Sequence, residues 1–207
     1  MTVRDISVAL REGTPEWPGD TPYACAWTAQ MARGSSVNLS SITMSPHVGT
    51  HADAPVHVHD GWPGAHELPL DAFHGPATVH DVSARSGELD IGDLPAEIAG
   101  GRLILRTGRT IATGRFPDEW PALAEACARA LIGRGLRLLA VDAPSVDLRE
   151  SASLAVHHML FSGGAYVLEN LDLRRIAPGD YELTAYPLKV MALDAAPVRA
   201  VLRELPR

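Results

Sequence analysis

Cysteine is nearly absent: Cys25 and Cys127 are the only two in 207 residues, and they form no CxxC pair. That argues against a disulfide scaffold or a zinc knuckle, and the apolar neighbours of both residues predict two packed, reduced thiols. No apolar run approaches the roughly twenty residues of a membrane span, and the first ten residues, interrupted by Arg4 and Asp5, lack the apolar core of a signal peptide. The expectation is a cytoplasmic protein. A basic tract is missing too: the net charge is −7 and the arginines are scattered, so a small molecule is the expected partner rather than nucleic acid or an anionic membrane. There are no internal repeats and no low-complexity tract. What remains is an ordinary globular balance, 46% apolar and 21% charged, at a length that suits one domain over residues 1–207.

Chemistry is densest between Ser45 and His59. Four of the nine histidines, His47, His51, His57 and His59, fall in thirteen residues, with Asp53 among them. Read in steps of two, His47, Gly49, His51, Asp53, Pro55, His57 and His59 share one side, and Val48, Thr50, Ala52, Ala54, Val56 and Val58 take the other. One face carries the chemistry and the other packs. A straight strand would spread His47 and Asp53 over roughly 20 Å, too far for the ligands of one metal ion, so the segment must bend. Gly49 supplies the backbone freedom for a turn, and Pro55, with no amide hydrogen, marks the end of strand pairing. The alternative is a solvated His-rich loop; the carboxylate and the alternating apolar residues favour a metal site.

Elsewhere, the pattern predicts strands over Val3–Leu10, Ala77–Val82, Arg102–Arg106, Leu136–Val141 and Ala165–Leu168. Cys25–Gln30 and Val37–Thr43 form a hairpin around Arg33-Gly34-Ser35-Ser36. Tyr181–Leu193 reads as a long central strand and Pro197–Leu205 as the last. Helices are expected over Asp118–Gly133, with Asp118 as cap and Pro121 in the first turn, and over Ser153–Phe161, capped by Ser153 and stopped by Gly163-Gly164. Trp17, in the proline-rich loop Pro15–Pro22, either plugs that loop against the core, which spacing alone favours, or forms a flat wall for an aromatic ligand. Asp142 and Asp147, just past a buried strand, either serve a site or cap turns, the latter being favoured. His157 and His158 are adjacent, so at most one serves as a ligand; His66, His74 and His80 read as surface or satisfied histidines.

The run His47-Val48-Gly49-Thr50-His51-Ala52-Asp53-Ala54-Pro55-Val56-His57 resembles the HxGTHxDxPxH signature of the metal-dependent cyclase and hydrolase family. The bacterial kynurenine formamidase branch is similar also in Trp17-Pro18-Gly19-Asp20-Thr21-Pro22, Val141–Asp147, His157-His158 with Glu169-Asn170-Leu171, and Pro187-Leu188-Lys189 with Pro197–Ala200. By matching position, the resemblance implies that His47, His51 and Asp53 hold one zinc ion and that Asp53 bridges to a second held by His157 and Glu169. It further implies Trp17 as a wall for the substrate's aromatic ring, against the reading from spacing, and His57 as proton donor and acceptor. The fold implied is α/β, a β-rich mixed sheet with few helices like the swivelling β/β/α fold of that family, in a homodimer. One position departs: Val58 stands where formamidases of this type often carry an aromatic residue, with His59 and Trp62 following.

The activity so implied is hydrolysis of N-formyl-L-kynurenine to L-kynurenine and formate in tryptophan breakdown. A metal would activate the water, and His57 would serve as acid and base. The alternatives are another hydrolase of the family, acting on a cyclic amide such as isatin or on an ester, perhaps with manganese and a single metal, and a non-catalytic metal-binding module.

Overall fold

A computed structural model describes residues 2–205. In chain order its strands are Val3–Asp5 (β1), Ala24–Ala29 (β2), Leu39–Thr43 (β3), His51–Asp53 (β4), His74–Asp81 (β5), Glu88–Leu89 (β6), Arg102–Arg106 (β7), Ala122–Leu123 (β8), Leu138–Val141 (β9), Tyr166–Glu169 (β10), Gly179–Thr184 (β11), Ala195–Pro197 (β12) and Val201–Glu204 (β13). Two α-helices accompany them, Glu125–Gly133 (α1) and Ala155–Ser162 (α2). The class is the expected one: a β-rich, mixed α/β architecture.

Nine strands form one sheet in the order β1-β13-β11-β5-β7-β9-β10-β4-β12. Its middle is parallel, β5 to β7 to β9 to β10, and antiparallel pairs flank it on both sides. Parallel strands are ordinarily covered on both faces, which explains the continuous apolar sequences of β7 and β9. Ile104, Leu138, Ala140 and Leu168 enter one core with Ala52 and Phe73. Leu103, Leu105, Leu139, Val141 and Val167 face the other, where α1 contributes Cys127, Ala128 and Leu131, and α2 contributes Val156 and Leu160. That second face carries the candidate site histidines.

Several boundaries differ from the sequence pattern. Residues 118–124 are not helical: Trp120 is buried with its indole N–H donating to the Asp147 carbonyl at 2.8 Å, and Ala122–Leu123 pairs in parallel with Glu88–Leu89. Tertiary anchoring there overrides the capping residues, so α1 begins only at Glu125. Strand pairing in Tyr181–Leu193 ends at Thr184, after which one bridge, Pro187 to Val198, is all that ties the segment to a strand-like partner. Ala192 adopts φ +59°, incompatible with a continuing strand. The last predicted strand is two, β12 and β13, and the first stops at Asp5 with a separate bridge from Ser7 to Leu171. Ser153 does not cap α2; Leu154 precedes that helix at φ +46° and the Asp147 carboxylate accepts from its first amides. Cys127 is buried as expected, but Cys25 is exposed, because the whole β2–β3 hairpin stands clear of the core.

Asp142 ties β9 to the chain leaving β7. Its Oδ1 accepts from the Thr107 amide at 2.7 Å and the Thr107 hydroxyl at 2.5 Å, and its Oδ2 accepts from the Gly108 amide at 3.0 Å. Burial pushes its carboxyl pKa up, against these bonds. Asp142→Ala would orphan the buried Thr107 amide, at about 1–3 kcal/mol, and release the Gly108 amide at the surface. Urea unfolding should show a clearly lower midpoint for the variant, and an unchanged midpoint would show that the loop repacks without it.

Candidate metal centre

The chain reaches β4 through a turn at Gly49, whose φ is +76° and where an added Cβ would lie 2.6 Å from Leu10 Cδ2. Thr50 fixes the next step: its hydroxyl donates to the Asn170 carbonyl at 2.6 Å and accepts from the Val8 amide at 2.9 Å. Strand β4 then lies between β10 and β12, with His51 opposite Glu169 and Asp53 opposite Val167 and Ala195. Directly paired residues share a face, so this register puts His51, Asp53 and Glu169 on the same side, with Ala52 in the core behind. His57 follows on the 3-10 turn Pro55–His57, which folds its ring to 4.5 Å from that of His47. His157, in the first turn of α2 on the same side, completes the group.

The contacts centre on one buried carboxylate. Asp53 Oδ1 lies 3.1 Å from His47 Nδ1 and 3.2 Å from His51 Nε2; Oδ2 lies 3.2 Å from His157 Nε2, which is also 3.3 Å from Glu169 Oε1. Two sets, His47 with His51 and Asp53, and Asp53 with His157 and Glu169, bring their ligand atoms within 4.8 Å of one another, and Asp53 belongs to both. His51 Nε2 and Asp53 Oδ1 are buried without a hydrogen-bond partner despite their proximity. Two orphaned lone-pair atoms facing each other, among imidazoles and carboxylates, fit a divalent cation.

Each inner histidine has its outer nitrogen held. His51 Nδ1 faces the Gly49 carbonyl at 2.9 Å and therefore carries the hydrogen, turning the Nε2 lone pair inward. His157 Nδ1 faces Asp147 Oδ2 at 2.7 Å, again leaving Nε2 for Asp53 and Glu169. His47 Nε2 lies 3.0 Å from Asp194 Oδ2. Outer partners of this kind set the tautomer and basicity of ligating histidines. Glu169 is aimed likewise, its Oε1 accepting from the Val146 amide at 2.8 Å.

Electrostatics follow from this crowding. Burial opposes the charge on His47, yet the Asp194 and Asp53 carboxylates beside its two ring nitrogens hold its pKa up to about 10. Burial likewise opposes a charge on His157, and Asp147, Asp53 and Glu169 together raise it well above the usual value. Against its own burial, Asp53 is held well below the usual carboxylate range by His51, His157 and His47, and Asp147 is lowered by His157. Asp194 is lowered by His47 and His57.

Above the cluster opens a cavity of about 380 Å³, lined by His47, His51, His57, His157 and Glu169 together with Trp17 and Phe116. Trp17 is 40% exposed and packs edge-on against Phe116 and Trp120, with centroids at 5.5 and 6.0 Å. It lines the cavity and does not plug the core, the reverse of what spacing alone favours. His59 does not join the group: it stacks on Trp62 at 4.6 Å with His158 at the edge, away from the cavity. Val58 packs into the helix-side core, and Phe116 supplies an aromatic wall that the sequence pattern did not single out. His80 is satisfied by the Asp93 carbonyl at 2.8 Å. Asp147 both caps α2 and orients His157, so its two readings are one. Asp194 was missed, since nothing in its local spacing points to the cluster.

Residues 4–148 match the family described as putative cyclase. A protein named kynurenine formamidase from Bordetella avium is 42% identical over 209 residues, covering 97% of each chain. Another of that name, from Salinibacter ruber, is 42% identical over 214 residues, covering 100% of this chain and 99% of its own. A solved structure described as a potential metal-dependent hydrolase with cyclase activity superposes with a TM-score of 0.84 at 27% identity, over 99% of both chains.

The charge pattern fixes the sign of a pH dependence in metal-free protein. The lowered carboxylates, Asp53 and Asp147, contribute stability above their unfolded pKa near about 3.9, lost as pH falls. The raised histidines contribute stability that is complete below about 6.5 and is lost as pH rises through their folded values, about 10 for His47. Chelator-dialysed protein should therefore melt at a lower temperature at pH 9 than at pH 6. Equal melting temperatures would contradict this account of the cluster.

Proposed function

The chain belongs to the putative cyclase family and is a hydrolase, and from that premise we propose that it is a kynurenine formamidase, cleaving N-formyl-L-kynurenine to L-kynurenine and formate in tryptophan breakdown. The whole chain is then one hydrolase domain. The observation that carries the reading is Asp53, shared by two ligand sets whose His47, His51, His157 and Glu169 line a cavity that Trp17 and Phe116 line as well. His47, His51 and Asp53 would hold one zinc ion, and Asp53, His157 and Glu169 a second; manganese suits the same donors. A bound divalent ion supplies a polarised formyl oxygen and a water of lowered pKa.

The chain's own groups do the rest. Trp17 and Phe116, set edge-on to each other, hold the substrate's benzene ring between a face and an edge and aim its formamide at the ligand cluster. His57 has Nδ1 turned to Asp194 at 3.4 Å, which leaves Nε2 as the free nitrogen of a ring that lines the cavity. It takes a proton from the attacking water as the oxygen–carbon bond forms. The carbon–nitrogen bond then breaks, and His57 returns that proton to the aniline nitrogen, which is a poor leaving group as an anion. The formic acid released loses its remaining acidic proton to solvent.

We also propose a homodimer. The β2–β3 hairpin exposes Trp27 and Ile42 on one face, 59% and 62% exposed, an apolar pair of the kind found at interfaces. A cytoplasmic setting suits two unpaired cysteines, and among the described residues no helix is long and apolar enough to cross a membrane.

Purified enzyme should hydrolyse N-formylkynurenine well in preference to isatin and simple aryl esters; faster turnover of isatin would shift the assignment within the family. His57→Ala should keep its metal and its fold while losing on the order of a hundredfold in turnover. Loss of metal from that variant would instead make His57 a ligand. Light scattering should give about twice the 22.1 kDa chain mass, falling to one chain in Trp27→Glu/Ile42→Glu. A monomer in the unmodified protein would remove the dimer.

A further inference from the structure

Asp194 sits outside both ligand sets that share Asp53, on the segment entering β12, yet its side chain reaches two of the site's histidines. Oδ2 is 3.0 Å from His47 Nε2 and 3.4 Å from His57 Nδ1, and the two rings lie 4.5 Å apart at 43°. A carboxylate only accepts, so both ring nitrogens facing it carry hydrogen. With metal bound, each imidazole would then be left with its lone pair on the opposite nitrogen: His47 Nδ1, which is 3.1 Å from Asp53 Oδ1, and His57 Nε2.

We infer that Asp194 is a positioning residue that fixes the tautomers of His47 and His57 with a single oxygen, locking the proton-transfer group to a metal ligand. The inference rests on the metal and His57 roles proposed above.

The backbone is built to hold that oxygen in place. The Asp194 carbonyl accepts from the Ala54 amide at 2.8 Å, and the Leu193 carbonyl accepts from the Ala65 amide at 2.9 Å, so the segment is pinned to the chain on both sides of the turn that carries His57. The next residue, Ala195, pairs with Asp53 across β12 and β4. The carboxylate itself is not a core element, since its side chain is 46% exposed, and it can be removed without opening a cavity. The longer bond to His57 is of the kind that tightens once substrate is bound. The three side chains also bring donor atoms within 4.8 Å of one another, so a cation held by His47, His57 and Asp194 is the competing arrangement. It is disfavoured because both ring nitrogens there already have Asp194 Oδ2 as a partner, whereas His51 Nε2 and Asp53 Oδ1 are buried without one.

The test compares the unmodified enzyme with Asp194→Ala and Asp194→Asn, each labelled with ¹⁵N-histidine and loaded with zinc. Long-range proton–nitrogen spectra, with His57→Gln used to assign the His57 signals, should show His57 as the Nδ1–H tautomer in the unmodified enzyme. In Asp194→Ala it should revert toward Nε2–H, with an intermediate pattern in Asp194→Asn. Zinc affinity, measured by competition with a chelating dye, should fall about 10- to 100-fold in Asp194→Ala, as expected for loss of an outer partner of a ligating histidine. Turnover should fall about tenfold or more while KM stays within about twofold, because the lost interaction acts on proton transfer and not on substrate binding. Three outcomes would overturn the inference: an Nε2–H His57 in the unmodified enzyme, unchanged tautomer and zinc affinity in Asp194→Ala, or a third zinc equivalent that disappears in that variant. The spectra and the zinc titration need no substrate. Inactivity on N-formylkynurenine with the Nδ1–H signature intact would therefore count against the proposed reaction and leave the role of Asp194 standing.

Discussion

A carboxylate 1% exposed has no business in a protein interior unless positive charge and hydrogen bonds compensate the lost water. Asp53 is such a group, and the surrounding structure is arranged around meeting its demand. His47 and His51 approach one oxygen and His157 the other. The imidazoles in turn need their far nitrogens satisfied, and the Gly49 carbonyl, Asp147 and Asp194 do so. The result is a nested set of polar contacts in which removing any inner member leaves an outer one unpaired. A metal ion is the natural occupant of such a set, because it offers a concentrated charge that the three imidazoles only approximate.

The sheet explains how these residues meet. Glu169 ends a parallel strand, while His51 and Asp53 lie on a short antiparallel strand added beside it, so the cluster lies where the parallel middle of the sheet gives way to its antiparallel flank. The helix carrying His157 packs on the same face, and its N-terminal amides are held by the carboxylate that orients the His157 ring. One aspartate, Asp147, thus sets the position of the helix and the direction of a histidine together. A one-residue slip of β4 would turn His51 and Asp53 into the opposite core and bring Ala52 out.

Much of this was legible in the sequence where the signal is local. The alternation from His51 to Asp53, the need for a bend at Gly49 and the end of pairing at Pro55 follow from strand geometry, and the structure shows all three. The alternation does not extend to His59, because the 3-10 turn after Ala54 breaks the period of two. Contacts set by tertiary register were not legible. Asp194 reaches its partners only because the segment before β12 is hydrogen-bonded to residues 54 and 65. Residues 118–124 carry good helix-starting signals, yet burial of Trp120 and pairing with Glu88–Leu89 hold them extended. Cys25 sits among apolar neighbours that face solvent on the hairpin, so composition alone misplaced it.

The central claim is that Asp53 joins two metal positions. Anomalous diffraction at the zinc edge, from crystals of protein purified without chelator and supplied with zinc, tests it most directly. The account predicts two peaks on opposite sides of the Asp53 carboxylate, one among His47 and His51 and the other between His157 and Glu169. A single peak at full occupancy, or two peaks of which one makes no contact with Asp53, would contradict it.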